Sequence, residues 1–137
     1  TDGRKMSKSY GNYIALSDAP EKVAQSITQM VTDPARIKKS DPGHPDICTV
    51  FAYYAAFFPE MLGEVRTECE GAQIGCVACK KRLSTKLLEV LSPIHERRSM
   101  FASDKDLVDG ILLKGAASAE KTAEATMKRV RSAIGLA

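Results

Sequence analysis

The chain has 137 residues, 44% of them apolar, and a formal charge of +3. That length predicts one domain with a core large enough to stand without disulfide or metal staples. The composition excludes a disordered tail and no apolar run approaches a membrane span. The charge is too mild to demand a polyanionic partner by itself.

The basic residues are nevertheless grouped. Arg36, Lys38 and Lys39 form one cluster, Lys80, Lys81 and Arg82 a second, Arg97 and Arg98 a third, and Lys128, Arg129 and Arg131 a fourth. Such groups can hold phosphates, although solvated helix faces have the same composition. The amino end has basic residues with no apolar stretch behind them, which predicts no signal peptide. The first residue is Thr1 rather than methionine, as expected for a piece of a longer chain.

In chain order, residues 1–12 are polar, with Gly3 and Gly11 bracketing the segment, and read as a mobile loop. Tyr13 to Leu16 alternate as a brief extended stretch. Asp18 reads as a helix N-cap, with Pro20 in the first turn and Glu21 three residues on. Val23, Ile27, Met30 and Val31 follow at helical spacing, and Asp33-Pro34 ends that helix. Residues 36–46 are a basic connector. A second helix is expected from Asp46, with Ile47, Val50, Phe51, Tyr54 and Phe58 on one face. Pro59 stops it and opens a third, short helix, and Glu70-Gly71 marks a turn.

From Cys76 onward Leu83, Leu87, Leu88, Leu91 and Ile94 share a stripe, with Pro93 expected to kink the helix. Ser103 reads as the next N-cap, ahead of Asp104 and Asp106, and Leu107, Ile111 and Leu112 are expected to bury that segment. Gly115 is expected to break it, and Ser118 to start a last helix with Ala123, Thr126, Val130 and Ile134 facing inward, ended by Gly135. There is no internal repeat. The expectation is an all-α helical bundle over residues 14–137, preceded by a loop at 1–13.

That loop carries the sharpest motif. Lys5, Met6, Ser7, Lys8 and Ser9 stand in a row, followed by Tyr10, Gly11 and Asn12. Lys5 and Lys8 are three residues apart, so both ammoniums can converge on one triphosphate, and Lys is a compact charge on a flexible stem. Ser7 and Ser9 can donate to phosphate oxygens. Glycines on both sides let the loop close and open. Attack on the α-phosphate of ATP expels pyrophosphate, and cations placed where that charge develops lower the barrier.

A second constellation is cysteine. Cys48, Cys69, Cys76 and Cys79 are the only four, separated by 20, 6 and 2 residues. Cys76-x-x-Cys79 opens a helix, a spacing suited to two ligands of one metal centre. Cys69 lies just before it, and Cys48 comes from another helix. Four-Cys Zn²⁺ is the common use of such spacing, and buried unrelated thiols are the alternative. His44 and His95 have no paired carboxylate or metal spacing and receive no role. Phe51, Tyr54 and Phe58 are expected in the core, and Tyr53 and Phe57 on open faces where they could stack on unpaired bases.

The run Lys5 to Ser9 resembles the ATP-handling signature of class I aminoacyl-tRNA synthetases. Further along, Thr32-Asp33-Pro34-Ala35-Arg36, Asp41-Pro42-Gly43, Gly75 to Leu83, Leu91 to Arg98 and the tail from Leu113 to Leu136 resemble tryptophanyl-tRNA synthetases in family order. The resemblance implies a ligase of the cytoplasm that joins tryptophan to tRNA(Trp) through an adenylate, using ATP with Mg²⁺. Lys5 and Lys8 would be catalytic, with Met6, Ser7 and Ser9 completing the ATP site.

It also implies a homodimer, and a Rossmann-type catalytic domain with a His-x-Gly-His motif that these residues do not contain. The helical part would then contact the anticodon. The piece alone would be inactive. Some bacterial members carry a 4Fe–4S cluster on a C-x22-C-x6-C-x2-C pattern, which this chain matches in its last two gaps. That implies Cys48, Cys69, Cys76 and Cys79 as cluster ligands, with Zn²⁺ as the alternative. Two other readings stay open: a helical metal-binding module that holds RNA without catalysis, and the tyrosine-specific relatives, whose usual signature lacks Met6-Ser7.

Overall fold

The computed structural model describes residues 1–136 and divides them at His95. Among these residues there is no strand: the chain folds into five α-helices joined by turns. The expected all-α architecture is what forms.

In residues 1–95, α1 spans Pro20–Thr28. Proline suits its first position because that N–H has no helical acceptor in any case. The N-cap is Ala19, with no side-chain bond. Asp18, expected in that role, instead accepts the Ala15 N–H at 2.9 Å and closes the preceding turn. Tyr13 to Leu16 form no strand, since they have no extended neighbour to pair with. A 3₁₀ turn at Pro45–Ile47 leads into α2, Thr49–Phe57. Phe58 leaves helical geometry and Pro59 begins a second 3₁₀ turn, Pro59–Met61, which feeds α3, Leu62–Glu70. Ala72 takes a left-handed φ of 54° to reverse the chain, and α4 runs Cys76–Ser103. Pro93 sits inside α4 without ending it, although its ring removes the bond that residue 93 would donate to the Glu89 carbonyl.

One apolar core holds this part together. Val23, Ile27, Met30, Val50, Tyr54, Phe58, Val65, Leu83, Leu87 and Leu91 are buried, with Phe51, Leu88 and Cys79 packed against them. Ile47, expected on this face, lies in the 3₁₀ turn and is 59% exposed, and Val31, just past the end of α1, is 50% exposed. The tighter 3₁₀ pitch takes Ile47 off the helical stripe. Tyr54 donates from its hydroxyl to the Cys79 carbonyl at 3.3 Å, tying α2 to the first turn of α4. Burial pushes the Tyr54 hydroxyl up to about 12. Arg82 reaches back to α3, bonding Glu64 at 3.1 Å and Glu68.

In residues 96–136 the packing is different. The second helix here, α5, spans Lys105–Ala133. Its N-cap is Asp104, which accepts the Leu107 N–H at 2.9 Å. Ser103, expected as the cap, still belongs to α4 and donates to the Met100 carbonyl. Gly115 does not break α5, and Ser118 lies inside it with its carbonyl accepting from Thr122. A helical glycine costs only about 1 kcal/mol against alanine, and the strong helix formers Ala116, Ala117, Ala119, Glu120 and Lys121 outweigh that. No described residue of 96–136 is buried. Leu107, Ile111, Leu112, Val130 and Ile134 were expected inward and are 42–64% exposed, while Ala123 and Thr126 are exposed as well. Periodicity marks an apolar stripe but does not supply the surface that covers it.

Leu83→Ala is expected to lower unfolding free energy by about 2–5 kcal/mol. Leu113→Ala, on the exposed helix, should change it by less than about 0.5 kcal/mol. Urea denaturation of the two variants checks both values.

Candidate phosphate loop and candidate metal centre

The signature residues are folded. Lys8–Tyr10 form a 3₁₀ turn whose N-cap is Ser7: its hydroxyl oxygen accepts the Ser9 N–H at 3.2 Å. Gly11 closes the turn with φ 62°, and Gly3 enters the segment at φ 79°. Glycine takes both conformations without the strain that a Cβ adds. Lys5, Met6, Lys8 and Ser9 are exposed, and Ser7 is half-buried. Ser7 accepts one bond and keeps its hydroxyl hydrogen free to donate.

The loop is anchored from below. The Val31 N–H donates to the Thr1 carbonyl at 2.8 Å. The Met6 sulfur receives the Tyr53 hydroxyl of α2 at 3.5 Å. Tyr53 in turn stacks on Phe57 with centroids 6.0 Å apart. These three residues line a cavity of about 720 Å³ floored by Leu87 and Leu91. Of the aromatics expected on open faces, Phe57 is 49% exposed, whereas Tyr53 is only partly accessible.

The four cysteines come from three elements. Cys48 is the N-cap residue of α2, Cys69 lies in the last turn of α3, and Cys76 and Cys79 form the first turn of α4. All four are unpaired thiols and partly buried. They lie within electrostatic reach of one another. Burial first, opposed by the Arg82 charge and reinforced by the other three cysteines, pushes the Cys79 thiol up to about 11. Burial likewise raises Cys69, with Arg36 opposing.

The connector 33–44 is built against this group. Asp33 is 5% exposed. It accepts from the Ala35 N–H at 2.8 Å and the His44 N–H at 2.9 Å, and it meets His44 Nδ1 at 2.7 Å. Burial resists its ionisation, but the His44 ring and these amides outweigh it and hold the carboxyl below its ordinary range. So fixed, the connector carries Arg36 to 3.9 Å from the Cys69 sulfur. It also brings the Gly43 N–H to 3.0 Å from the Cys69 carbonyl. A Cβ at Gly43 would collide with that sulfur.

The cationic run after Cys79 is mostly engaged. Lys80 donates to the Thr28 carbonyl at 2.8 Å, at the end of α1, and Arg82 serves Glu64 and Glu68. Only Lys81 has no side-chain partner among the described residues.

The family model for class I tRNA synthetases (W and Y) matches residues 1–92. The chain belongs to that family. It is 40% identical over 138 aligned positions to a tryptophan–tRNA ligase of Aquifex aeolicus, covering 99% of this chain and 35% of that protein. It is 44% identical to one of Thermotoga maritima, covering 99% and 42%. Among solved structures, tryptophanyl-tRNA synthetase of Campylobacter jejuni superposes with a TM-score of 0.88 at 27% identity, over 99% of this chain and 44% of that one. The same enzyme complexed with ADP and tryptophan also gives 0.88, at 26% identity. The chain therefore spans 35–44% of these relatives' length.

Within this class I synthetase chain, sequence reading passed over three residues that shape the two candidate sites. From residue type and spacing, Asn12 was part of the signature run, Asp33 a helix end, and Arg36 one of a cationic cluster suited to phosphates or to a solvated face. Asp-Pro-Ala is a side-chain-to-backbone turn signal, and it could have marked Asp33 as a connector lock.

The Asp33 lock depends on the ionised carboxylate, so its contribution is present at neutral pH and lost as pH falls through the lowered midpoint. The Ala35 and His44 amide resonances should titrate with a midpoint below the ordinary 3.8. Gly43→Ala must displace Cys69 and should cost about 1–3 kcal/mol, measurable by chemical denaturation.

Proposed function

We propose that this chain supplies the ATP-handling loop and the tRNA-contacting helical part of a tryptophan–tRNA ligase. The observation that carries the reading is the 40–44% identity to tryptophan–tRNA ligases across 99% of the chain. The exposed Lys5 and Lys8 on an ordered, glycine-hinged turn are its local support. The tryptophan carboxylate attacks the α-phosphorus of ATP, forming the adenylate and breaking the bond to pyrophosphate. The Lys5 and Lys8 ammoniums stabilise charge as it develops on the departing pyrophosphate; Mg²⁺ arriving with the nucleotide would supply further positive charge there. Ser7 and Ser9 donate to its oxygens, and the Met6 side chain anchors the loop on Tyr53 rather than touching phosphate.

The helical part faces tRNA(Trp). Lys81 and the exposed Phe57 are its candidates for phosphate and base contact. The protein works in the cytoplasm as a homodimer, where unpaired thiols stay reduced.

Cys48, Cys69, Cys76 and Cys79 are proposed to hold a 4Fe–4S cluster. The donor set is four thiols from three elements that influence one another electrostatically, with Arg36 and Arg82 near them to offset thiolate charge. Among the described residues no group of three or more His, Cys, Asp or Glu side chains is placed to hold a metal ion, so the reading rests on the residue type and spacing of the four cysteines. A cluster held by Cys48, Cys69, Cys76 and Cys79 would tie the α2 entry, α3 and α4 together.

Three measurements test this. In the full-length ligase, Lys5→Ala and Lys8→Ala should each slow tryptophan-dependent pyrophosphate exchange by about 10²–10³-fold. The 137-residue chain alone should show no such exchange; a robust rate would overturn its role as one part of the enzyme. Purified without oxygen, the chain should be brown, with iron and sulfide in stoichiometric amount, and Cys76→Ser should lose both. A colourless protein with one zinc per chain would replace the cluster by Zn²⁺.

A further inference from the structure

We infer that Asn12 is the positioning residue of the signature loop: its buried carboxamide, clamped to Asp2, fixes the backbone on which Lys5 and Lys8 are presented. The inference rests on Lys5 and Lys8 acting on pyrophosphate, as proposed above.

Asn12 is 3% exposed in a segment whose neighbours Lys8, Ser9, Tyr10, Gly11 and Tyr13 are all exposed. Such burial of a polar side chain requires partners, and Asn12 has them on both ends of its amide. Its Oδ1 accepts the Ser7 N–H at 2.8 Å. Its Nδ2 donates to Asp2 Oδ1 at 2.7 Å and to the Lys5 carbonyl at 3.3 Å. The oxygen faces a donor and the nitrogen faces two acceptors, so only one orientation of the amide satisfies the site. The bonds to the Lys5 carbonyl and the Ser7 N–H bracket Met6, and Ser7 then caps the turn that begins at Lys8. One side chain therefore sets the main chain at both lysine positions.

Asp2 completes the clamp. Its other oxygen takes the Arg4 guanidinium at 2.6 and 2.9 Å, and Arg4 lies over the Tyr10 ring at 4.5 Å. The Asn12 amide and then Arg4 hold the Asp2 carboxyl well below the usual range, so it stays an acceptor at neutral pH. A lysine on a slack loop loses freedom each time it meets the transition state. A lysine rooted on a clamped backbone has only its stem to order.

The test uses the full-length ligase and the chain together. Asn12→Ala should lower kcat for pyrophosphate exchange by about 10–100-fold and leave KM for tryptophan unchanged. Asp2→Ala, which removes the clamp at a less buried position, should lower kcat in the same way, and Asp2→Asn should recover most of that loss. Because Asn12 acts through the lysines, adding Asn12→Ala to Lys5→Ala/Lys8→Ala should cost nothing further. In the chain, Asn12→Ala should abolish hydrogen-exchange protection of the Ser7 amide and leave that of Leu83 and Leu87 intact. If Lys5→Ala/Lys8→Ala keeps full exchange, the reading beneath the inference falls. If that double variant is impaired while Asn12→Ala and Asp2→Ala match wild type, or their losses add to it, the inference alone is overturned.

Discussion

Tyr54 is where the apolar and polar parts of the bundle meet. Its ring is fully buried among Val23, Ile27, Val50 and the leucines of α4, and its hydroxyl reaches the carbonyl of Cys79. A buried phenol must find a partner. Here that partner lies in the first turn of α4, so satisfying the phenol also holds the start of α4 against α2. That constraint fixes the helix that carries Cys76 and Cys79 relative to the one that Cys48 opens. It also sets α2 beneath the signature loop, through Tyr53 one residue away. Both candidate sites thus hang on one packing relation, although neither uses Tyr54 chemically.

Around the thiols the charges are arranged with economy. Arg36 arrives from a connector and Arg82 from α4 itself, so cations from two elements flank sulfurs from three. Arg82 also holds Glu64 and Glu68 on α3, which lets one guanidinium link helix packing and thiol electrostatics. The connector can do its part because Asp33 is locked by amides on both sides of it and because Gly43 lets the backbone touch Cys69. The loop follows the same logic with neutral groups. A buried amide does for residues 2–12 what the buried carboxylate does for residues 33–44.

Local spacing made much of this legible. The stripes Val23–Ile27–Met30, Val50–Tyr54–Phe58 and Leu83–Leu87–Leu91 repeat at helical intervals, and those side chains are the ones the fold buries. The same rule overreached beyond residue 100. Leu107, Ile111 and Val130 follow an equally good stripe, but a stripe gives a direction and not a neighbour. Gly115 misled for a related reason: a small local penalty was read as a break, when the residues around it favour helix strongly enough to carry the chain through. The caps at Asp18 and Ser103 were off by one residue: Asp18 is taken up by the turn at Ala15, leaving Ala19 as an uncapped start, and Asp104 rather than Ser103 caps α5.

The amino-acid sequence by itself determined the all-helical class, most of the core residues in the first 95 positions (Val65 was missed, and Val31 and Ile47 are exposed), the signature loop and the four cysteines. Each of these is written in residue type and near-neighbour spacing, which local chemistry reads directly. Tertiary structure alone decided that Asn12 and Asp2 close the loop and that Arg36 and Gly43 meet Cys69. It also decided that Lys80 and Arg82 are committed to α1 and α3. These are contacts between residues 10 to more than 50 positions apart. No periodicity encodes them: they exist only once the core has brought distant segments within hydrogen-bonding reach.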